Sequence, residues 1–369
     1  MIDIDRDSFE EKARIRVIGV GGGGNNAVDR MIADNIEGID FINVNTDAQV
    51  LKRSNAGVRI QLGTGLGAGG DPDIGAKEAD ESKDKIAEAL QGVDMLFITA
   101  GMGGGTGTGA APIVAAIAKK LNILTVGIVT TPFGSEGAKR MKNALKGIEE
   151  LKKNIDTLVV VPNEKLIEIL DEDITFIDAL KEADQVLSKA VFGIFKLITD
   201  PGLLNLDFAD VKSTMLDKGV AHIGIGQATG KNRSTQAVEM AVNSPLLETS
   251  IKGARNALIN ITTSPDFKLK EANEINKYVG KHMGVEETNI ISGVYIDETL
   301  QDEIIVTLIA TDFEIQQELP PATKNIVHQG AILAQKAEEK AEMQESILPT
   351  GDEVKIDLPN IFSSRKKRL

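Results

Sequence analysis

The sequence predicts an α/β fold: an open parallel sheet with helices on both faces, then one long helix, a smaller mixed α/β domain and a flexible tail. Three patterns lead there. Apolar, β-branched runs alternate with segments of helical spacing through the first half of the chain, as parallel strands joined by crossover helices do. Two of these runs pass straight into glycine-rich loops that open helices. Beyond them, apolar residues at Phe176, Leu180, Ala183, Leu187, Ala190, Val191, Ile194, Leu197 and Ile198 recur at spacings of three and four, a helical stripe.

The elements follow in order. Arg14 to Val20 is an apolar strand, and Gly21-Gly22-Gly23-Gly24-Asn25-Asn26 leads from it into a helix over Ala27 to Ala33. Phe41 to Val44 is a short strand, Gly63 to Gly70 a third glycine-rich turn, and Lys77 to Leu90 has helical spacing. Met95 to Ala100 is a buried strand feeding Gly103-Gly104-Gly105-Thr106-Gly107-Thr108-Gly109, followed by a helix over Ile113 to Leu121. Leu124 to Val129 and Thr157 to Val161 are strands, with a helix over Lys139 to Lys153 between them. The long helix stops at Asp200-Pro201-Gly202, because proline disfavours helix for the residue before it and glycine permits the turn.

After that helix, Val220 to Gly224, Ala257 to Ile261, Asn289 to Ile296 and Glu303 to Ala310 read as strands, with helices near Ser234 to Val242 and Lys270 to Met283. The short polar turn Asp297 to Asp302 joins the last two strands. Pro320-Pro321 opens a tail whose residues Asn325 to Glu345 have the composition of a solvated helix, and from Ser346 that of a disordered chain. It closes with Ile356-Asp357-Leu358-Pro359-Asn360-Ile361-Phe362 and the basic run Arg365 to Arg368, which reads as a docking peptide.

Composition narrows the function. A chain of 369 residues has room for two cores, and 42% hydrophobic residues is ordinary for a globular protein. Without cysteine there are no disulfides or cysteine zinc sites, and no apolar stretch approaches the ~18 residues of a membrane span. The polar, charged N-terminal stretch lacks a secretory pattern, so a cytoplasmic location is expected. A net charge of -14, no tryptophan and 4% aromatics argue against a nucleic-acid binder. The three histidines, His222, His282 and His328, lack metal-ligand spacing, so no protein metal site is expected.

The chemistry lies in the glycine loops. Removing side chains where a strand meets a helix lets backbone N–H groups surround an anion at the helix N-terminus. The loop from Gly103 to Gly109 reads as a phosphate cradle of this kind, with two threonine hydroxyls as further donors, and it lacks the Lys-Ser/Thr ending of a P-loop. Gly19-Val20-Gly21-Gly22-Gly23-Gly24, with Asp47 beyond it, also satisfies the dinucleotide fingerprint. One such loop serves one pyrophosphate, whereas two elaborate loops plus the turn Gly67-Ala68-Gly69-Gly70-Asp71 can surround a triphosphate. An NAD-dependent oxidoreductase and a nucleotide-binding scaffold without turnover remain rivals. Asn205-Leu206-Asp207-Phe208-Ala209-Asp210 has two readings: Asp207 caps a helix over Val211 to Leu216, or the two carboxylates polarise a water for attack on a phosphoryl group.

Gly103 to Gly109 resembles the tubulin signature, and together with Asn205 to Asp210 it makes the chain, from about Arg14 to Phe313, similar to the bacterial-type FtsZ branch of the tubulin/FtsZ family. The tail resembles that branch's C-terminal peptide, imperfectly at Ile361-Phe362-Ser363-Ser364. The resemblance implies a tubulin-like fold and a GTPase that polymerises head to tail into protofilaments and forms the cytokinetic ring, in the cytoplasm at the division site. It implies GTP or GDP with Mg2+ as cofactors, bound by Gly22, Gly23, Gly24, Asn25, Asn26, Gly69, Gly70, Asp71, Gly103, Gly104, Gly105, Thr106 and Gly107. Thr131, Pro132, Glu136 and Arg140 fall on the ribose-side loop, and Asp184 falls where guanine is read. Leu180 departs from the family, many members of which place Phe there to stack near the base.

Asn205, Asp207 and Asp210 are implied to be catalytic, entering the nucleotide site of the next subunit. Division and membrane-tether proteins are the implied partners of the tail. The expected organisation is an N-terminal extension (1–13), a GTP-binding domain (14–175), the central helix (176–203), an activation domain (204–316), a linker (317–353) and a C-terminal partner-binding peptide (354–369).

Overall fold

The computed structural model describes residues 13–36, 38–168, 174–199, 207–244 and 250–313, all within one compact unit. Six parallel strands form its first part: β1 (Ile15–Val20), β2 (Asp40–Asn45), β3 (Val58–Gln61), β4 (Met95–Gly101), β5 (Leu124–Thr131) and β6 (Thr157–Pro162), in the order β3-β2-β1-β4-β5-β6. β4 and β5 are buried at nearly every position, which suits uninterrupted apolar runs covered on both faces. Met95 and Phe97 face one core and Leu96 and Ile98 the other, the period of two that a strand imposes.

Crossover helices build the two outer layers. On one face lie α1 (Gly21–Ala33) and the long helix; on the other, α3 (Pro72–Glu81), α4 (Lys83–Ala89), α5 (Thr106–Lys120) and α6 (Ala138–Lys152). The short helices α2 (Ala48–Arg53) and α7 (Asn163–Ile167) complete this part. α8 (Phe176–Thr199) is the expected 24-residue helix, about 36 Å long at 1.5 Å per residue. Its stripe of Ala183, Leu187, Ala190, Val191, Ile194 and Phe195 shares one core with Val28 and Met31 of α1 and with Leu258 and Ile309 further along the chain.

The later elements are α9 (Phe208–Met215), β7 (Gly219–Thr229), α10 (Arg233–Val242), β8 (Ala254–Thr263), α11 (Leu269–Met283), β9 (Asn289–Ile296) and β10 (Glu303–Phe313). They extend the same sheet in the order β7-β10-β8-β9, so it has ten strands among the described residues. The two parts meet where β6 and β7 pair in parallel over only Thr157↔Gly219, Leu158↔Val220 and Val159↔Ala221. Gly219 N donates to Asp156 O at 2.8 Å beside this seam, and the Thr157 hydroxyl donates to Met215 O at the end of α9.

Several expectations change in detail. Gly21 to Gly24 lie inside α1, and Thr106 to Gly109 inside α5, so each strand passes almost directly into a helix. The helix expected over Lys77 to Leu90 starts earlier and is two helices, broken at Ser82. The last two strands are not neighbours, since β8 separates β10 from β9. The apolar β8 is buried almost throughout and takes an inner place, whereas the half-exposed β9 forms the edge. Asn205 and the tail from residue 314 lie outside the described residues. Among the described residues no helix is long and apolar enough to cross a membrane.

Candidate functional site: glycine loops at the carboxyl edge

Five connections converge at the carboxyl ends of β1 to β5, where open parallel sheets bind ligands. Their backbones touch. A Cβ built on Gly21 would lie 2.7 Å from Gly107 N, and one on Gly105 would lie 2.9 Å from Asp71 N. Only glycine lets three loops meet so closely, and Gly21 also has a φ of +73°. The Thr46 and Thr106 hydroxyls are 2.6 Å apart and join the β2–α2 connection to the same assembly.

Around this packed centre the loops are open outward. Cβ atoms on Gly22, Gly67, Gly69, Gly70 and Gly104 would meet nothing within 4 Å. α1 and α5, which start here, have no side-chain cap and no acidic residue in the first turn. Three other helices carry aspartate caps, α2 by Asp47 and α3 by Asp71 at this same edge and α9 by Asp207. The two uncapped N-termini, with their dipoles and spare N–H groups, leave room for a polyanion, while the nearby Asp47 and Asp71 carboxylates are each turned to the cap of their own helix.

Several of the expected contact residues also brace the loops. Asn25 is fully buried; its amide donates to Gly19 O at 2.8 Å and its carbonyl accepts from Asn45 Nδ2 at 2.7 Å. The Thr108 hydroxyl accepts from Gly103 N at 2.8 Å. Asp71 Oδ1 accepts from Asp73 N at 2.9 Å. Asn26, by contrast, is exposed on α1, one turn before Arg30 on the same face. Thr131 and Pro132 are buried at the end of β5, Pro132 against Gly103. Glu136 pairs with Arg140 and accepts from Phe133 N at 3.0 Å, so it shapes the loop that follows β5. Thr46, Asn43, Asn45 and Glu164 were not singled out from sequence. Glu164 accepts from Gly134 N at 2.7 Å, and Asn45-Thr46-Asp47 at the end of an apolar strand was the signal for Asn45 and Thr46.

Asp184 on α8 faces α1. Burial pushes its carboxyl up to about 6, opposed by the nearby Arg30 guanidinium. Leu180, one turn earlier, is 38% exposed.

Asp207 and Asp210 lie elsewhere. Both are exposed on the first turn of α9, with Asp210 N donating to Asp207 Oδ1 at 2.7 Å, so the cap is formed and the carboxylates still face water. Between them, Phe208 lines a cavity with Arg14, Asp94 and Ile123, which immediately precede β1, β4 and β5. That is the amino edge of the parallel sheet. A seven-residue strand such as β4 puts about 23 Å between the two edges.

The model of the Tubulin/FtsZ family GTPase domain matches residues 14–171, and that of the FtsZ family C-terminal domain matches residues 219–314. The chain is 49% identical to an empty FtsZ dimer from M. jannaschii, with a TM-score of 0.78, covering 81% of this chain and 88% of that one. A substituted variant of FtsZ from M. jannaschii is 48% identical with a TM-score of 0.79, covering 82% and 92%. CetZ2 from Haloferax volcanii, in a GTPγS-bound protofilament, shares the fold at 20% identity and a TM-score of 0.73, covering 88% and 99%. Loops, fold and identity over most of its length agree, and the chain belongs to the tubulin/FtsZ family of GTPases.

Proposed function

We propose that the chain is a GTP-dependent, polymerising cytoskeletal GTPase of cell division, and that it hydrolyses GTP at the contact between head-to-tail subunits. One observation carries this reading: the open glycine cradle and the exposed Asp207–Asp210 turn occupy opposite edges of one parallel sheet. A carboxylate cannot cross about 23 Å, so within one subunit the two halves never meet. Stacked head to tail, the amino edge of one subunit covers the carboxyl edge of the next and completes the site. The M. jannaschii dimer and the Haloferax protofilament support such assembly.

In this reading the N–H groups of Gly22 to Gly24 and Gly104 to Gly107 hold the phosphates. The Asp207 and Asp210 carboxylates of the adjoining subunit orient and polarise the attacking water. Among the described residues no group of three or more acidic or histidine side chains could hold a metal. Mg2+ bound together with the triphosphate would offset the negative charge of its phosphates. Residues 317–353 are assigned to a linker and 354–369 to a partner-binding peptide, and the working place is the division site.

Right-angle light scattering tests the reading. With Mg2+, GTP is expected to produce assembly while GDP, ATP and NAD do not, and phosphate release per chain should fall toward zero below the assembly threshold. A specific activity independent of dilution would mean that a lone subunit hydrolyses GTP.

Base reading by Asp184 makes a second prediction. The ionised carboxylate accepts from guanine N1–H and the exocyclic amine together, whereas a protonated one does not. With the carboxyl raised to about 6 by burial, GTP affinity is expected to fall about tenfold per pH unit below that value and to level off above it. Stability of the nucleotide-free fold has the opposite sign. Protonated Asp184 suits its buried place, so stability declines as pH rises from the ordinary carboxylate value of 3.8 through about 6. Calorimetric titration across this range should show the slope, and Asp184→Asn should abolish it.

A further inference from the structure

A cavity of about 560 Å³ opens at the amino edge of the sheet, its apolar wall formed by Ala13, Leu90, Val93, Leu121, Ile123 and Phe208. It shares no residue with the glycine cradle. Its rim is fixed: Arg14 N donates to Asp94 Oδ2 at 2.8 Å, and Asp94 N donates to Arg14 O at 2.9 Å. The Arg14 guanidinium stands over Gly92, where a Cβ would lie 2.9 Å from Nη1.

We propose that this cavity is the seat of the chain's own residues 1–12, with Phe9 as the anchor. Ala13 lines the cavity, so the segment leaves from its wall. Phe9, four residues back, can extend up to about 13 Å and return to any point of it. A tethered segment acts at an effective concentration in the millimolar range, ahead of a free partner. Its chemistry fits as well. Ile2, Ile4 and Phe9 match the apolar wall, and the carboxylates among Asp3, Asp5, Asp7, Glu10 and Glu11 match Arg14. Seated there, Phe9 covers Phe208, which lies between Asp207 and Asp210, so the segment steadies the turn that presents both carboxylates.

The chain has no tryptophan, so Phe9→Trp is a lone reporter. In dilute, nucleotide-free protein its emission is expected to be blue-shifted, and its quenching by acrylamide several-fold weaker than in the same reporter carrying Leu121→Glu. Leu121 is 40% exposed, so that change spares the core. Deleting residues 1–12 should speed amide hydrogen exchange at Val211 and Lys212 in the first turns of α9. An indole equally exposed in both backgrounds overturns the proposal, as does exchange unchanged by the deletion. Shielding that appears only on assembly with GTP also overturns it, because the cavity then belongs to the next subunit. These measurements need no turnover, so their outcome stands apart from that of the hydrolysis reading.

Discussion

Asp210→Ala is expected to bind GTP and assemble while releasing phosphate at least about a hundredfold more slowly, the lower end of what a positioned general base contributes. The substitution is clean for a structural reason. Asp210 gives its backbone N–H, not its carboxylate, to the cap of α9, so the bond to Asp207 Oδ1 survives. Asp207→Ala removes that cap as well and should cost about 1 kcal/mol of stability, mixing two effects. Sedimentation of polymer and phosphate release, measured on the same samples, separate assembly from chemistry. Full turnover by Asp210→Ala polymer would remove this carboxylate from the reaction.

The second large effect concerns the cradle. Gly107→Ala is expected to weaken GTP binding by a hundredfold or more. Its Cβ would lie 2.6 Å from Gly101 O and 3.3 Å from Val20 O, backbone atoms that cannot turn aside, so the two phosphate loops must move apart. Losing two charge-assisted hydrogen bonds, at about 1.5–3 kcal/mol each, accounts for that loss. Gly104→Ala provides the contrast, because its Cβ meets nothing within 4 Å. It should keep the melting temperature of the parent and lose affinity only, since the methyl stands where the ligand belongs. Calorimetry with thermal unfolding distinguishes the two; equal melting temperatures for both variants would contradict the packing of Gly107, and unchanged affinity in Gly104→Ala would mean that this side of the loop faces no nucleotide.

Local signals were readable wherever the chain alone decides the outcome. Strand cores such as Met95 to Ala100, the α8 stripe and the glycine runs all encode their neighbours within a few residues. What sequence hid was non-local. Whether Thr108 offers its hydroxyl to a ligand or braces Gly103 depends on a turn that closes only in the fold. That the Asn25 side chain also ties Asn45 to Gly19 is equally out of sight until the fold brings them together. The place of β10 between β7 and β8 is set by burial across three strands, and no turn residue between Ile296 and Glu303 announces it. α9 shows both sides: the capping reading of Asp207 holds, and the same bond leaves the carboxylates exposed, so the two readings of that motif are compatible.

The seam between β6 and β7 has a mechanical consequence. Its three paired residues are the fewest of any strand pairing in the sheet, and the bonds from Gly219 N to Asp156 O and from the Thr157 hydroxyl to Met215 O are local ties beside it. α8 packs along both parts, with Leu187, Val191, Ile194 and Phe195 in the shared core and Gly193 so close to Thr307 that a Cβ there would lie 3.0 Å from its methyl carbon. The ten-stranded sheet of the described residues is thus continuous but narrowest at this joint, and a relative shift of its two parts would break fewer strand pairs here than anywhere else along it.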